Sequence, residues 1–433
     1  MKKVYYIETF GCQMNVHDSE KMSGILKSEG YAETDNPRNA DLIVFNTCSI
    51  REKAEQKFFS RLGRLKTLKN RNPDLKIAVA GCIAQQEGNK ILHRTPYVDY
   101  VIGPQNLHLM KEISTIQGHC IACDDNPVLA DTDFCVDRKD RIKAWVTIMY
   151  GCNNFCSYCI VPHTRGREKS RPSEKILDEI EGLSREGFRE ITLLGQNVNS
   201  YRSELDFVGL LKHINRISRI ERIRFITSHP KDLSIDLIHA VRDIEKVCQH
   251  IHLPLQSGSS RILKLMNRKY SYDDYIKKIE MLRKIMPDIS ITTDIITGFP
   301  QESNEDHAST IRALKEIAFD GIFAFNYSPR PGTKAATFTG HIDVKVKSQR
   351  LYEIIDVQNM ITDRKNKAIE GTIQQVLVES VVTNGGGRVF TGRTRTSKIV
   401  NCPFDDSVIP SDIVEVKILK AKRHSLEGIL HKP

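Results

Sequence analysis

The stretch Gly151-Cys152-Asn153-Asn154-Phe155-Cys156-Ser157-Tyr158-Cys159 places three cysteines within eight residues. It follows an apolar, β-rich segment at 145–150, so we expect a loop at the end of a strand. Three thiolates can bind one face of a soft metal or an iron–sulfur cluster and leave a fourth position free. Structural zinc sites usually have four protein ligands, whereas reactive centres keep one position open. The spacing favours a reactive metal centre over its two alternatives, buried structural cysteines and half of a split zinc site.

Length and composition describe an ordinary globular chain. The 433 residues predict roughly three domains at about 150 residues each. No apolar run approaches the ~20 residues that span a membrane, and Met1-Lys2-Lys3 leads into a strand rather than a signal peptide. We therefore expect a cytoplasmic protein that does not bind membranes. The odd number of cysteines, 11, favours reduced thiols that serve as ligands. The net charge of +10 is compatible with nucleic acid binding.

Four segments of the chain differ in their pattern. Residues 1–118 alternate short strands with helices, which predicts a flavodoxin-like α/β domain with a parallel sheet. Residues 119–137 are polar and aperiodic, and we expect a linker. Residues 138–369 repeat a strand–helix unit about six times, which predicts a partial (β/α)6 barrel with an open side. Residues 370–433 predict a small antiparallel β-barrel. The linker cysteines form either a third metal site or plain loop thiols: Cys120, Cys123 and Cys135.

A cysteine follows each of three predicted strands in the first domain. These are Cys12, Cys48 and Cys82. Because the carboxyl ends of parallel strands meet at one edge of a sheet, where ligands bind, we expect the three thiols to be neighbours in space. Each alone would more often be a buried small hydrophobic residue. Gly11 and Gly81 stand beside two of them and would allow close backbone approach to a bulky cofactor.

Polar or glycine-containing motifs follow five predicted strands of the barrel. Parallel barrels bind their ligands at the carboxyl ends of the strands, so we expect these motifs to surround a pocket. Each motif alone is weak evidence, because turns favour the same residues. His229 and His252 are either pocket residues or hydrogen-bonded structural histidines. The strand-end residues that we select are Gly195, Gln196, Asn197, Ser228, Gln256, Ser257 and Asp294.

The last segment carries a cluster of basic residues. Arg393, Arg395 and Lys398 lie close together in the sequence, and lysine and arginine side chains neutralise phosphates of nucleic acids. The cluster favours an RNA-binding module over a structural cap.

Five motifs together carry a resemblance to a known family that covers nearly the whole chain. They are 10–15, 46–52, the 152–159 run, Ile160-Val161-Pro162-x-x-Arg165-Gly166 and 252–259. The chain resembles the radical S-adenosylmethionine methylthiotransferases, closest to the tRNA-modifying MiaB branch, and residues 370–433 resemble a TRAM domain. Ser397 departs from the asparagine usual in the TRAM pattern, which puts one turn in doubt.

The resemblance implies two [4Fe–4S] clusters and bound S-adenosylmethionine. Cys152, Cys156 and Cys159 would hold the radical cluster and serve catalysis, and the three cysteines of the first domain would hold an auxiliary cluster. The cofactor would contact Tyr158 together with the seven strand-end residues that we select.

The resemblance also implies the reaction and the partners. The reaction places a methylthio group on C2 of N6-dimethylallyl adenosine at position 37 of tRNA. Acid–base side chains cannot activate this C–H bond, so a radical is needed. We expect a monomer that requires an electron donor such as flavodoxin or ferredoxin and a sulfur donor.

Three other activities compete with this interpretation. They are methylthiolation of N6-threonylcarbamoyladenosine 37, methylthiolation of an aspartate in a ribosomal protein, and non-catalytic RNA binding by an iron–sulfur protein. Ser49-Ile50-Arg51-Glu52 after Cys48 favours the dimethylallyl substrate.

Overall fold

The structure, a computed structural model, describes residues 2–49, 52–113, 115–116, 118–126, 128–384 and 387–432. Ile50 and Arg51, on which part of the substrate prediction rests, lie outside this part. No helix in the described part is long and apolar enough to cross a membrane. The described residues form a parallel α/β domain, an open barrel and a closed small barrel in chain order.

The first domain has one parallel sheet with helices on both faces. Its strands follow the order β2-β1-β3-β4-β5-β6, which confirms the flavodoxin-like prediction. The last strand, β6, comes from the segment predicted as a linker. Apolar side chains of the central strands alternate between two cores, one on each face. The elements are β1 Val4–Thr9, α1 Gln13–Ser28, β2 Ala32–Glu33, β3 Leu42–Thr47, α2 Glu52–Arg71, β4 Lys76–Gly81, α3 Cys82–Glu87, α4 Asn89–Arg94, β5 Tyr100–Ile102 and β6 Cys120–Ala122.

The middle domain is a partial barrel of parallel strands. Two three-stranded sheets, β7-β10-β11 and β12-β13-β14, are joined by a parallel bridge between Ile223 and Val247. The six strands confirm the predicted open barrel. The elements are β7 Lys143–Thr147, β8 Met149–Tyr150, α5 Val161–Thr164, β9 Lys169–Ser170, α6 Ser173–Glu186, β10 Glu190–Leu194, α7 Phe207–Asn215, β11 Arg222–Phe225, α8 Ile235–Asp243, β12 His250–His252, α9 Ser260–Leu265, α10 Tyr272–Ile285, β13 Ser290–Thr297, α11 Asn304–Ile317, β14 Gly321–Asn326 and α12 Val344–Lys367.

Serine caps define where several barrel helices begin. Ser271 accepts a hydrogen bond from the Asp274 amide, and the Asp274 carboxylate accepts one from the Ser271 amide in return. Ser303 and Asp306 form the same reciprocal pair at α11. Each cap satisfies amides that the first helical turn leaves without partners. These helix starts are therefore encoded locally.

The C-terminal domain is a closed barrel in the order β15-β16-β17-β19-β18. This confirms the predicted small barrel, whose strand pairs are antiparallel except for the parallel β17–β19 pair. Ser397 adopts a φ of 69°, and its amide donates to the Thr394 carbonyl at 3.0 Å. The turn is thus present although serine replaces asparagine. The strands are β15 Ile373–Asn384, β16 Gly387–Thr394, β17 Ile399–Pro403, β18 Ile413–Ala421 and β19 Leu426–Leu430.

Arginines of both barrels donate hydrogen bonds across the interface between the open barrel and the C-terminal barrel. Arg222 on β11, fully buried, donates to the carbonyls of Arg393 at 2.6 Å and Gln375 at 3.1 Å. Arg224 donates to the Thr394 carbonyl at 2.7 Å. In the opposite direction, Arg395 donates to the Val247 carbonyl at 2.7 Å. A buried donor that loses its acceptor costs about 1–3 kcal/mol, so these bonds hold the C-terminal barrel in one position.

Candidate active site

The three cysteines of the 152–159 run lie in a loop after β8, as the sequence predicts. Gly151 begins this loop with a φ of 66°, and a Cβ there would lie 2.0 Å from the Arg167 carbonyl oxygen. Only glycine fits at this turn. Cys152 and Cys156 are buried and Cys159 is half-buried. The chain itself therefore gathers these three thiols.

Polar groups surround the sulfur atoms of this loop. The Asn154 amide side chain lies 3.4 Å from Cys152 Sγ, and Arg268 Nη1 lies 3.2 Å from Cys156 Sγ. Burial raises the pKa of the Cys159 thiol to about 12. The protein alone thus disfavours the thiolate at Cys159, and a metal that binds the thiolate would offset this cost.

A small cavity of about 170 Å³ opens beside Cys159. Three of the predicted cofactor residues line it, namely Tyr158, Gln256 and Asp294. Gln256 has a φ of 72°, and its buried Oε1 has no hydrogen-bond partner among the described atoms. An acceptor left without a partner at a cavity wall suits a polar ligand.

The other predicted cofactor residues occupy different positions. Gly195 packs against Met149, where a Cβ would lie 2.5 Å from Met149 Cγ. Asn197 donates to Asp232 at 2.7 Å, and Ser257 accepts the amide of Ser259 at 3.2 Å, so both shape loops. Ser228 is buried. Gln196 lines a second, larger cavity.

The three cysteines of the first domain converge at the ends of β1, β3 and β4. Cys12 precedes α1, Cys48 follows β3, and Cys82 begins α3. A side-chain hydrogen bond with Cys48 lowers the pKa of Cys12 to about 6. Burial raises the pKa of Cys82, which lies beside Arg165. The parallel topology thus brings together thiols that are far apart in sequence.

The two glycines beside this site have steric roles. A Cβ at Gly11 would lie 2.3 Å from Cys48 Cβ, and one at Gly81 would lie 2.4 Å from the Thr47 carbonyl oxygen. Both have positive φ, 138° and 89°. Their close approach is to the neighbouring strand ends, which lets the three cysteine loops meet.

An ion pair from the middle domain closes the same site. Arg165 Nη2 lies 2.8 Å from Asp18 Oδ2, and both side chains are almost completely buried. Arg165 also lies near Cys12 and Cys82. The arrangement couples the first domain to the barrel at the cysteines.

A cavity of about 580 Å³ lies between the cysteine site of the first domain and the strand ends of the barrel. Cys12 and Cys48 line one side, and barrel residues that include Asp294 and Phe325 line another. Asp294 and Phe325 also line the small cavity beside Cys159. His252 Nε2 lies 3.4 Å from Asp294 Oδ2. The two cavities therefore share a wall, and the larger one reaches from the first domain to the strand ends of the barrel.

The C-terminal barrel supplies the third side of this cavity. Arg393 and Lys398 line it, whereas Arg395 is occupied with Val247 and Gln249 in the domain interface. Lys398 Nζ donates to Asn366 Oδ1 at 2.8 Å. Of the three basic residues predicted to bind RNA, two face the cavity.

Family models match three parts of the chain. They are Uncharacterized protein family UPF0004 at 4–103, the Radical SAM superfamily at 146–314 and the TRAM domain at 367–431. A protein from Thermodesulfovibrio yellowstonii is 57% identical over 98% of both chains. One from Acetivibrio thermocellus is 49% identical over 99% of this chain and 91% of its own. Both are named tRNA-2-methylthio-N(6)-dimethylallyladenosine synthase.

The chain belongs to this synthase family. The resemblance seen in the sequence is confirmed, and the chain is a radical S-adenosylmethionine enzyme. Such enzymes use a [4Fe–4S] cluster and S-adenosylmethionine.

Solved structures agree on the fold. The radical S-adenosylmethionine methyltransferase TsrM from Kitasatospora setae has a TM-score of 0.56 at 13% identity, covering 78% of this chain and 77% of its own. The cobalamin-dependent radical enzyme OxsB has a TM-score of 0.52 at 12% identity, covering 83% of this chain and 56% of its own. Both similarities concern the fold alone.

The surroundings of the cysteine loop fit a [4Fe–4S] cluster. The guanidinium of Arg268 near Cys156 and the cavity beside Cys159 would suit an anionic cluster with one open face. Within the described ranges, no three His, Cys, Asp or Glu side chains converge closely enough to hold a single metal ion.

The linker cysteines do not converge among the described residues. Cys120 packs with the core on one face of the first sheet and Cys123 with the core on the other, while Cys135 is exposed. Cys123 Sγ donates to the Ala84 carbonyl at 3.4 Å. The interpretation as loop or sheet thiols suits this placement better than a third metal site.

The sequence reasoning did not assign a role to four residues that the structure places at the site. Arg165 belongs to a quoted motif, but nothing in the sequence pairs it with Asp18. Phe323 and Phe325 have a usable signal, because residues two apart on a strand share a face. Arg268 follows α9 without any motif.

Proposed function

We propose that this protein places a methylthio group on C2 of N6-dimethylallyl adenosine at position 37 of tRNA. The observation that supports this most is the cavity lined by Cys12 and Cys48, by the barrel strand ends and by the C-terminal barrel. A base in that cavity would lie between the cysteines of the first domain and the small cavity beside Cys159. A reaction that needs both a radical and a sulfur source requires such an arrangement.

In this proposal Cys152, Cys156 and Cys159 hold the radical cluster. Tyr158, Gln256 and Asp294 would bind S-adenosylmethionine in the small cavity. The cluster and cofactor supply, on reduction, a radical able to activate a C–H bond that has no acid–base handle. Asp294 lines both cavities, so it would orient the cofactor towards the base.

Cys12, Cys48 and Cys82 hold a second [4Fe–4S] cluster in this proposal. Three thiolates leave one iron without a protein ligand, and that position can carry the sulfur that is transferred. The buried pair of Arg165 and Asp18 would hold this site against the barrel and exclude water from it.

The larger cavity suits an unpaired base with an apolar substituent. Met14, Ile226, Phe323 and Phe325 give it apolar walls, which match a dimethylallyl group. Burial lowers the pKa of His250 to about 3, so this wall residue is neutral near pH 7. Anticodon loops present unstacked bases that can enter such a pocket.

Arg393 and Lys398 would contact the tRNA backbone at the cavity rim, since lysine and arginine neutralise phosphates. The proposal further includes a monomeric enzyme, an electron donor such as flavodoxin or ferredoxin, and a sulfur donor. The two donors are required by the chemistry, because the radical step consumes an electron and the product retains a sulfur atom.

Nucleoside mass spectrometry of tRNA from a deletion strain tests the proposal. We expect the 2-methylthio form of dimethylallyl adenosine to disappear, the unmethylthiolated form to accumulate, and the full-length gene to restore the product. Loss of a methylthiolated threonylcarbamoyl adenosine instead would favour the rival tRNA substrate. An unchanged nucleoside profile would contradict both.

A further inference from the structure

Arg268 lies directly against the cysteine loop of the radical site. Only 4% of the residue is exposed. Its Nη1 is 3.2 Å from Cys156 Sγ and 3.4 Å from Tyr158 Oη. Its Nη2 donates to the Pro254 carbonyl at 3.0 Å, and its Nε donates to Tyr270 Oη at 2.9 Å. The guanidinium is thus held in one orientation.

The charge of Arg268 has no acidic partner in the described part of the chain. No carboxylate oxygen there lies within 4.0 Å of it, and the groups that favour its charged form are Tyr158, Tyr270 and Cys156. Arg165, by contrast, is paired with Asp18 at 2.8 Å. A buried cation without a counter-ion is costly. A cluster bound by thiolates would supply the missing negative charge.

We propose that Arg268 is a positioning residue that sets the reduction potential of the cluster held by Cys152, Cys156 and Cys159. Hydrogen bonds to the sulfurs, local charge and solvent exposure set the potential of an iron–sulfur cluster. Reduction adds one electron, taken from a low-potential electron donor, and makes the cluster more negative. A fixed cation and an N–H donor at one ligand sulfur stabilise this reduced form. No bond forms or breaks in the step.

The inference rests on the cluster assignment in the proposed function. Iron content and an EPR signal that changes on adding S-adenosylmethionine test that assignment in the unaltered protein. If the unaltered, reconstituted protein lacks both, the assignment itself fails. A loaded variant with an unchanged potential refutes only the role of Arg268.

The experiment is an EPR-monitored redox titration of the full-length holoenzyme. In Arg268→Gln, which removes the charge, we expect the ratio of reduced to oxidised radical cluster at a fixed potential to fall at least about tenfold. For a one-electron couple this lowers the midpoint by about 59 mV. Arg268→Lys keeps a charge but loses the planar fork, so we expect a smaller fall.

Asn267→Ala is the matched control. Asn267 Nδ2 donates to the Phe155 carbonyl at 2.8 Å, so the variant loosens the same loop without changing any charge. Its midpoint should equal that of the unaltered protein. An unchanged midpoint in loaded Arg268→Gln, or an equal shift in Asn267→Ala, overturns the proposal. If Arg268→Gln holds no iron, Arg268→Lys decides, because a midpoint that does not fall also overturns it.

Discussion

The two cysteine sites each bring three thiols together, but they do so in opposite ways. Cys152, Cys156 and Cys159 come from one loop of eight residues, whereas Cys12, Cys48 and Cys82 come from three strand ends of a parallel sheet. The first site depends on local chain geometry and the second on the whole sheet. The loop site should therefore keep its geometry when the domains shift relative to one another. The strand-end site should form only when the sheet of the first domain is correctly assembled.

The arginine beside each cysteine site differs in whether it has an acidic partner. Arg268 faces Cys156 without a carboxylate within 4.0 Å in the described ranges. Arg165 faces Cys12 and Cys82 while paired with Asp18. The arginine at the loop site therefore carries its charge without a nearby carboxylate. In our proposal this favours the reduced form of the cluster that the loop would hold.

The largest expected effect comes from Cys156→Ala. Three thiolates are the minimum that holds a cluster with one open iron, so cleavage of S-adenosylmethionine and the methylthio product should both be abolished, while the auxiliary cluster still assembles. Deoxyadenosine formation and iron content of the anaerobically reconstituted protein measure this. Cys402→Ala, buried in the C-terminal barrel core, should change neither. Retained cofactor cleavage in Cys156→Ala would refute the assignment of the radical site.

The second effect separates the two sites. The triple variant Cys12→Ala, Cys48→Ala and Cys82→Ala should lose about half of the iron, as expected for one of two equal clusters. It should still form deoxyadenosine but no methylthio product. The control replaces the three other cysteines of the same region, Cys120, Cys123 and Cys135, and should keep full iron. Normal product and iron in the first triple variant would end the two-cluster interpretation.

A smaller effect concerns the buried ion pair. Arg165→Met leaves Asp18 buried and unpaired, and breaking such a pair typically costs about 3–5 kcal/mol. We expect the first unfolding transition of the apo-protein to occur at a lower urea concentration in this variant than in the unaltered protein. Asp363→Asn breaks an exposed pair with Arg423 at 2.6 Å and should leave that transition almost unchanged. Equal shifts in the two variants would show that burial does not strengthen the Arg165 pair.

The smallest effect concerns the basic residues of the C-terminal barrel that line the larger cavity. Arg393→Ala and Lys398→Ala should each weaken tRNA binding and reduce the salt slope by about 1, because each removes one phosphate-neutralising charge. Filter binding at several salt concentrations measures this. Lys417→Ala, exposed on β18, is a control outside the cavity lining. Equal losses at Lys417 would indicate a diffuse basic surface instead of a defined contact.

Much of the fold follows from local pattern. The alternation of strands and helices predicts the parallel sheet and the open barrel, and a strand ends shortly before each of Cys12, Cys48 and Cys82, as the sequence predicts. The edge strand Cys120–Ala122 is missed, because three residues at a sheet edge carry no periodicity. The parallel β17–β19 pair is missed too, since pairing direction depends on barrel closure.

The sequence by itself determined the cysteine loop at 152–159, because all three of its cysteines lie within one short stretch whose geometry the chain imposes. It also determined that the strand-end cysteines share an edge, because parallel strands align their carboxyl ends. Only the tertiary structure decided that Arg165 crosses to Asp18 and that Arg268 turns towards Cys156. Only it decided that three domains enclose one cavity, because such contacts depend on how separately folded surfaces dock, and no local pattern encodes that docking.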